Sequence, residues 1–286
     1  MAVGGVERAP GLGGATWLSA TELVRLRSGA WFGQLAPERA QALLAASRLK
    51  RLAAGETLFM RGDEADGLFA VLDGSLRISG MTADGKEAIL SIIDAPQWFG
   101  EIAVFDGLPR THDAVAEGAT RLLHVPRIAL DALLQVDPIW WRELGQLMAW
   151  RTRLVMIGME DLALHPAEVR LARRLLMLVQ AGQQGQAGQM LHQGQPVVLP
   201  IGQQQLGMML SLSRQTVNQL LHGLQEQGIL QVAYGRIELR DMAALAGVAE
   251  LSRHDLQMLE QVLPGSGASL APTPTPAPTP RGDQKV

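Results

Sequence analysis

The sequence IGQQQLGMMLSLSRQTVNQLLHGL, residues Ile201–Leu224, contains two short runs of helical periodicity with a break between them. Apolar residues recur at helical spacing on both sides of the break: Leu206, Met209 and Leu210, then Val217, Leu220, Leu221 and Leu224. Ser213 is a good N-cap for the second run, which leaves Arg214, Gln215 and Gln219 facing outward. The pattern predicts a helix, a tight turn and a second helix of the kind that contacts base edges in the major groove of DNA.

An ordinary helical hairpin with a solvated polar face would show the same periodicity, since helical hairpins are common. The residues that follow favour the DNA-binding alternative. Ile229–Val232 and Ile237–Leu239 flank Tyr234-Gly235-Arg236, which predicts a β-hairpin with a basic tip. A helix-turn-helix followed by a small hairpin is the winged form of the motif, and Arg236 would then contact phosphate rather than bases.

The bulk composition limits the classes of protein to consider. A chain of 286 residues with 47% hydrophobic and 19% charged residues is typical of a soluble protein with two modest domains. No apolar run approaches the length of a bilayer and no signal peptide is evident, so we expect a cytoplasmic protein. The absence of cysteine excludes disulfides, cysteine-ligated iron–sulfur clusters and cysteine-ligated zinc. A net charge of −3 indicates that any DNA affinity is local rather than general.

The N-terminal half predicts a β domain. Residues 31–49 are expected to form one helix, and the chain then changes to short apolar runs separated by Gly62-Asp63, Asp73-Gly74 and Asp84-Gly85 turns. The strand candidates are Glu56–Met60, Leu68–Leu72, Ser75–Ser79, Ala88–Ile93 and Arg121–Val125. Regular short strands with such turns predict an antiparallel barrel or jelly roll, which makes the whole chain an α+β, two-domain protein.

Helices dominate the remainder. The candidates are Ile128–Leu134, Pro138–Leu164, Ala167–Gln180, Met242–Gly247 and Glu250–Leu263, with a glycine- and glutamine-rich loop at Gln183–Gln195. Leu144, Met148, Val155, Met159 and Leu162 form one stripe of the long helix; this stripe is either a dimer seam or a surface that packs on its own barrel. Arg170, Arg173 and Arg174 are expected on the polar side of their helix. The expected domains are a mostly disordered segment 1–30, an effector domain 31–136, a linking and dimerisation helix 137–164, a winged helix-turn-helix 165–247, and a segment 248–286 with a short helix and a disordered tail rich in Thr-Pro.

A second group of polar residues lies within the β domain. Gly100 and Glu101 are adjacent, and Arg110 follows nine residues after Glu101, with Thr111 next to it. Asp106-Gly107 and a proline lie between the two pairs. Arg110 would bind a phosphate through charge-assisted hydrogen bonds, and Glu101 would accept from a hydroxyl. A surface salt bridge between Glu101 and Arg110 is the structural alternative.

Phe99–Thr111 resembles the phosphate-binding cassette of the cAMP receptor protein/FNR family of bacterial transcription regulators, and Leu212–Val217 resembles the start of the family's recognition helix. The resemblance covers roughly residues 31–247 and implies a homodimer that binds a palindromic operator and acts with RNA polymerase. It implies that Gly100, Glu101, Ile102, Ala103, Arg110 and Thr111 bind the effector. It likewise implies that Ser213 and Thr216 contact DNA phosphates while Arg214, Gln215 and Gln219 contact bases.

Three departures from the family pattern concern the effector and the operator. Val155 and Met156 stand where the cAMP-responsive prototype has polar adenine contacts, and His112 replaces a small residue. Ser211 replaces the usual turn glycine, which would cost about 1–2 kcal/mol if this residue is left-handed. The first two make cAMP an uncertain effector and leave another nucleotide, another ligand or constitutive activity open. Gln215 and Gln219 predict an operator different from the prototype's.

The leading hypothesis is an effector-controlled, sequence-specific transcriptional regulator and not an enzyme, because Glu101 and Arg110 have no nucleophile–base pair or P-loop nearby. A nucleotide-sensing module that controls a protein partner is the alternative from another class. A haem-binding relative, with His112 or His124 as ligand, is a weaker alternative.

Overall fold

The computed structural model describes residues 18–183 and 196–252. Its strands are β1 Arg48–Leu52, β2 Thr57–Phe59, β3 Gly67–Asp73, β4 Ser75–Met81, β5 Glu87–Asp94, β6 Trp98–Phe99, β7 Asp113–Ala116, β8 Thr120–Pro126, β9 Val197–Leu199, β10 Leu230–Ala233 and β11 Arg236–Leu239. Its α-helices are α1 Ala20–Ser28, α2 Pro37–Ala45, α3 Ile102–Asp106, α4 Arg127–Val136, α5 Ile139–Leu164, α6 Ala167–Gln183, α7 Gln203–Leu210, α8 Arg214–Glu226 and α9 Met242–Val248.

The N-terminal domain is an antiparallel β structure of two four-stranded sheets, β1-β8-β3-β6 and β2-β7-β4-β5, as the strand and turn pattern predicts. The central strand β3 is buried at every position except its last, because it pairs with β8 and β6 and both of its own faces are covered. The predicted turns are confirmed: Gly62, Gly74 and Gly85 all have φ between +79° and +91°, a region that glycine enters without steric cost.

The sequence prediction misses three strands of the N-terminal domain. Residues 31–49 do not form one helix: a single 3₁₀ turn at Phe32–Gln34 is followed by α2, which starts at Pro37, and β1 begins at Arg48. A proline is favoured in the first turn of a helix but interrupts one that would run through it. The strands β1 and β7 are partly polar and β6 is very short, so their apolar alternation is too weak to identify them.

The predicted N-terminal disordered segment contains a helix within the described residues. Ser19 caps α1: its hydroxyl accepts from the Glu22 backbone N–H, and the Glu22 carboxylate accepts from the Ser19 N–H at 2.8 Å. This reciprocal capping box is followed by Leu26, which is 1% exposed and packs in the core with Trp31 and Phe32. The helix therefore belongs to the effector domain.

The long helix α5 has two halves with different neighbours. Trp140, Leu144 and Leu147 are buried in the effector-domain core. In the second half, Val155, Met156, Met159 and Leu162 are between 54% and 60% exposed. The packing interpretation of the apolar stripe is therefore confirmed for the first half, which packs on its own barrel. The second half presents an apolar face outward, and the dimer seam stays a prediction.

The C-terminal domain has a core formed by α6, α7, α8 and α9 together with the small sheet β10-β11-β9. The strand β9 precedes the helix-turn-helix and pairs with β11, a pairing that the sequence prediction misses. Arg173 is not on a polar surface as predicted: it is 6% exposed, and its Nη1 donates to Asp161 of α5 at 2.9 Å while its Nε donates to the Ala249 carbonyl at 2.9 Å. This arginine joins the end of the long helix to the DNA-binding domain.

Glu250 has a positive φ of 49°, so no helix starts there. The described ranges exclude most of the predicted 183–195 loop, residues 253–263 of the last predicted helix, the proline-rich tail and the first residues of the chain. Across residues 18–183 and 196–252, none of the helices combines the length and hydropathy that membrane crossing requires.

Candidate functional site

One cavity in the effector domain brings the predicted effector-binding residues together. It has a volume of about 90 Å³ and lies among β2, β4, β5, α3 and the segment after α3. The six residues predicted from the cassette all line it, and they are joined by Phe59, Ile78, Ile93, Phe99, Pro109, His112 and Arg151. The cavity is thus apolar on the sheet side and charged where the cassette and α5 meet, as ligand sites with a few placed polar groups commonly are.

Arg110 is buried and held in a fixed orientation. Its Nη2 donates to Asp66 Oδ1 at 2.8 Å and to the Gly67 carbonyl at 2.9 Å, and its guanidinium lies 4.4 Å from the centre of the Phe59 ring. A carboxylate and an aromatic face are suitable partners for a buried cation. Gly100, with φ +99°, permits this arrangement, because a Cβ there would approach Arg110 Nη1 and the Gly67 carbonyl to 3.0 Å.

Glu101 is buried as well, with 2% of its surface exposed, and it immediately precedes α3. Its Oε1 lies 3.4 Å from Arg151 Nε, and Arg151 in turn donates to the Trp98 carbonyl at 2.7 Å. The surface salt bridge between Glu101 and Arg110 is therefore not present: both side chains are buried and each pairs with another residue. Asp66, from the loop before β3, and Arg151, from α5, are site residues that the local motif could not reveal.

Two polar atoms at this site have no protein partner. Among the described residues, Glu101 Oε2 and Arg110 Nε are buried without a hydrogen-bond partner. Leaving a buried donor or acceptor unpaired costs about 1–3 kcal/mol, more for a charged group. A ligand that offers a hydroxyl to Glu101 and an anionic oxygen to Arg110 would satisfy both atoms. The residues present therefore fit a hydroxylated anion such as the sugar phosphate of a nucleotide.

One of the departures from the family pattern, His112, lines the cavity. His112 is half-buried, and its Nδ1 lies 2.9 Å from the Thr111 hydroxyl. Burial and the nearby Arg61 lower the pKa of His112, so its neutral form is favoured. Val155 and Met156 do not line the cavity but lie on the exposed half of α5.

His124 lies behind Arg110. Its ring stacks on Phe69 with centroids 4.5 Å apart, and its Nε2 lies 3.1 Å from the Asp66 carbonyl oxygen. Burial lowers the pKa of His124, although the Asp66 backbone carbonyl and carboxylate oppose the shift. Asp66 thus contacts both His124 and Arg110. This places His124 in support of the arginine.

The second candidate site is the first turn of α8. Ser213 caps the helix as predicted: its hydroxyl accepts from the Thr216 N–H at 3.0 Å and lies 2.8 Å from the Thr216 hydroxyl. Arg214, Gln215 and Gln219 are exposed, while Val217, Leu221 and Leu224 of the same helix are buried. The helix therefore presents its predicted recognition residues to solvent and packs through its apolar face.

The turn between α7 and α8 is tight. Ser211 is left-handed, with φ 55° and ψ 39°, so the condition under which it carries backbone strain is met. The Leu212 N–H donates to the Gly207 carbonyl at 2.9 Å, and a Cβ on Gly207 would lie only 2.8 Å from the Leu212 carbonyl oxygen. Gly207 is thus the glycine on which this close approach depends.

Two features of the DNA-facing side were missed from the sequence. Gln203 Nε2 donates to Asn218 Oδ1 at 2.9 Å, which joins the first turn of α7 to α8. Tyr234 is fully exposed in the hairpin between β10 and β11, next to the exposed Arg236. Small polar contacts between helices and single exposed aromatics have no periodic signal, so neither could be recognised in advance.

Comparison with known proteins agrees with this architecture. Residues 49–137 match the cyclic nucleotide-binding domain family, and residues 169–248 match the Crp-like helix-turn-helix domain family. The cAMP-activated global transcriptional regulator Vfr of Pseudomonas aeruginosa is 30% identical over 66% of this chain and 88% of its own length. The cyclic AMP receptor protein of Thermus thermophilus is 29% identical over 76% of this chain and 95% of its own length.

The fold is also that of the solved structure of FixK2 from Bradyrhizobium japonicum, with a TM-score of 0.63, 23% identity, and coverage of 72% of this chain and 98% of that one. A cyclic-nucleotide-binding-type domain joined through a long helix to a winged helix-turn-helix defines an effector-controlled, DNA-binding transcriptional regulator, and not an enzyme. The chain belongs to the cAMP receptor protein/FNR family.

The environment of His124 predicts a pH dependence of folding stability. Because the pKa of His124 is lowered below its ordinary 6.5 in the folded state, its contribution is fully present above pH 6.5 and is lost as the pH falls below that value. We expect His124→Gln to remove this part of the acid destabilisation, which for one group has a slope of at most about 1.4 kcal/mol per pH unit. Urea unfolding of both proteins between pH 7.5 and 5 measures the difference. If the difference in unfolding free energy between the two proteins were the same at every pH in this range, His124 would not titrate on unfolding.

Proposed function

We propose that two copies of this chain form a homodimer that binds a palindromic operator through α8 and is controlled by a hydroxylated anionic effector bound at Arg110 and Glu101. The observation that carries the proposal is the pair of buried, unpartnered atoms, Arg110 Nε and Glu101 Oε2, in the cavity that the cassette lines. A regulator of this kind acts on RNA polymerase at promoters and is expected in the cytoplasm.

The exposed half of α5 supports the dimer. Trp141, Met148, Val155 and Leu162 follow one another at intervals of seven residues, the repeat of a coiled-coil seam. The last two are 59% and 54% exposed, and Met159 beside them is 60% exposed. A helix burying these side chains against a second copy would remove a contiguous apolar surface from water.

The exposure of the α8 first turn supports specific DNA binding. Arg214 is free to form a bidentate contact with guanine, and Gln215 and Gln219 are suited to adenine. The N-cap residue Ser213 and Thr216 would contact phosphates, and Arg236 in the hairpin would contact another phosphate. Two-fold symmetry of the dimer would place the half-sites about 34–36 Å apart, one turn of the double helix.

The cavity supports a cyclic nucleotide or a related anion as the effector. Glu101 would accept a hydrogen bond from a ribose hydroxyl, and Arg110 with Thr111 would bind the phosphate. Gly100, Ile102 and Ala103 would surround the sugar. Val155 and Met156 provide no hydrogen bond for an adenine edge, so we expect the base to contribute less to specificity than the sugar phosphate does.

The first prediction concerns base contact. We expect Arg214→Ala to weaken operator binding by about 1–3 kcal/mol and to relax the preference at one base pair, because it removes a bidentate contact. Fluorescence anisotropy with a duplex selected by the wild-type protein from a randomised pool, and with single-base variants of that duplex, provides the measurement. Arg240→Ala is the charge-matched control, since Arg240 already pairs with Glu238 at 3.5 Å. Equal weakening on every duplex would contradict direct readout by Arg214.

The second prediction concerns dimerisation. We expect Met159→Lys to weaken dimer association by at least about 100-fold, because burying an unpaired ammonium costs several kcal/mol. Sedimentation equilibrium gives the dissociation constants. Glu160→Gln changes the net charge by the same amount at the neighbouring residue and should leave association unchanged. A variant that remains as tightly dimeric as the wild type would place the interface elsewhere.

The third prediction concerns the effector. Calorimetric titration with cAMP, cGMP and cyclic di-GMP should give saturable binding of at least one of them, and Arg110→Lys should weaken it by about 1.5–3 kcal/mol, since a charged hydrogen bond is lost. The exposed Arg61, which does not line the cavity, provides the control Arg61→Ala. If Arg110→Lys binds the nucleotide as tightly as the wild type, the arginine is not part of the site. If none of the three nucleotides produces heat with the wild type, a regulator that needs no effector is favoured.

A further inference from the structure

The two domains of one chain are in direct contact. Ile89 of β5, in the effector domain, is 2% exposed, yet it is buried in the hydrophobic core cluster of the DNA-binding domain together with Leu206, Met209 and Leu210 of α7. Ile92, from the same strand, packs against that cluster as well. The strand β5 therefore has an apolar outer surface that the first helix of the helix-turn-helix covers.

A register shift explains why β5 carries apolar residues on both faces. Ile93 belongs to the effector-domain core, so strict alternation would also turn Ile89, four residues earlier, inward. The pairing of β4 with β5 shifts between Ile78 and Ser79, which pair with Ser91 and Ile89 and leave Leu90 as an extra residue. Such a bulge changes the side-chain parity of the strand, and Ile89 consequently faces the other domain.

A polar contact accompanies the apolar one. Gln205 of α7 donates from Nε2 to Glu117 Oε2 of the effector domain at 2.6 Å, while its Oε1 accepts from the Gly202 N–H at 3.0 Å. Glu117 is also 3.3 Å from Arg77 Nε of β4, so its charge is balanced within its own domain. The contact thus fixes the first turn of α7 relative to the sheet without leaving an isolated negative charge beside it.

This contact leaves the proposed functional surfaces free. The recognition residues Arg214, Gln215 and Gln219 are exposed in the docked arrangement, in which β5 contacts α7. The apolar half of α5 is exposed in the same arrangement. The docked orientation is therefore compatible with both dimer formation and DNA binding.

The same strand borders the effector cavity. Ile93 of β5 and its neighbour Ile78 of β4 line the cavity, while Ile89 and Ile92 of β5 contact the DNA-binding domain. Only the thickness of one strand separates the cavity from α7, so a displacement of β5 at the cavity would also displace the surface that contacts α7. This is a physical connection between the two sites that does not pass through α5.

We infer that the outer surface of β5, formed by Ile89 and Ile92 with the adjacent Glu117, is a docking surface for α7 that holds the recognition helix in its DNA-binding orientation and transmits the state of the effector cavity to it. The inference rests on the proposed DNA-binding function. In this arrangement Ile89, Glu117 and Gln205 are positioning residues: they contact no DNA and act through the orientation of α8.

A double-mutant cycle tests the polar contact. Glu117→Ala and Gln205→Ala should each weaken binding of the selected duplex about three- to tenfold, the range of one hydrogen bond. The double variant should bind the duplex as tightly as the single variant that has the larger loss of affinity, because both changes remove the same contact. Glu38→Ala removes an exposed carboxylate on α2 and should have no effect. Additive losses from the two positions would contradict the coupling.

The apolar contact has a matched pair of variants on the same strand. Ile89→Ala should weaken duplex binding about tenfold or more, since it removes buried apolar surface from the docking contact. Leu90→Ala, at the 49% exposed residue beside it, should leave binding unchanged. Circular dichroism verifies that both variants are folded, and Ile89→Val provides a milder change with an intermediate effect. Tighter duplex binding by Ile89→Ala would show that docking inhibits DNA binding and would overturn the inference.

Cross-linking tests the orientation directly, because the chain has no cysteine of its own. In the Glu117→Cys, Gln205→Cys protein, a short bis-maleimide should bridge the two thiols within one chain, and the bridged protein should bind the duplex at least as tightly as the same protein capped with N-ethylmaleimide. Failure to bridge, or loss of duplex binding on bridging, would overturn the inference. If the wild-type protein selects no duplex at all, the proposed function fails, whereas efficient bridging would still establish the docked contact.

Discussion

The buried guanidinium of Arg110 is the interaction on which the effector domain depends. A cation removed from water must be compensated, and here the compensation comes from Asp66, the Gly67 carbonyl and the Phe59 ring. These partners come from separate segments of the chain, so the arginine joins the loop before β3 to the cassette and to β2. Arg110 Nε and Glu101 Oε2 are left without a partner, and both residues line the same cavity. The atoms that anchor the arginine are therefore different from the one that the proposed effector would satisfy.

The regulatory architecture follows from elements that contact two neighbours at once. The first half of α5 completes the effector-domain core, and the second half presents an apolar face to solvent. The strand β5 borders the cavity with one face and α7 with the other. Arg173 joins the end of α5 to the C-terminal domain through Asp161. The cavity is thus connected to the C-terminal domain in two ways, along the long helix and across a single strand.

Features with a strong local cause were predictable. Ser213 was assigned as an N-cap from its capping preference, which depends on nearby backbone, and the structure confirms it. The α+β architecture followed from glycine-containing turns spaced between short apolar runs. The helix expected across residues 31–49 was wrong, because Pro37 and the pairing of β1 with β8 divide this segment. The polar strand β1 is stabilised by its partner strand rather than by its own pattern, and the sequence alone does not show such a partner.

The sequence by itself determined the class of the protein, the order of its domains and the membership of the cassette and the recognition helix, because each of these depends on residues close together in the chain. Only the tertiary structure decided which charges meet. Glu101 and Arg110 lie near each other in sequence but pair with Arg151 and Asp66, since burial selects the partner that satisfies both geometry and charge. The tertiary structure also decided that a bulge in β5 turns Ile89 toward α7. Contacts between distant segments depend on packing, and packing has no counterpart in local sequence pattern.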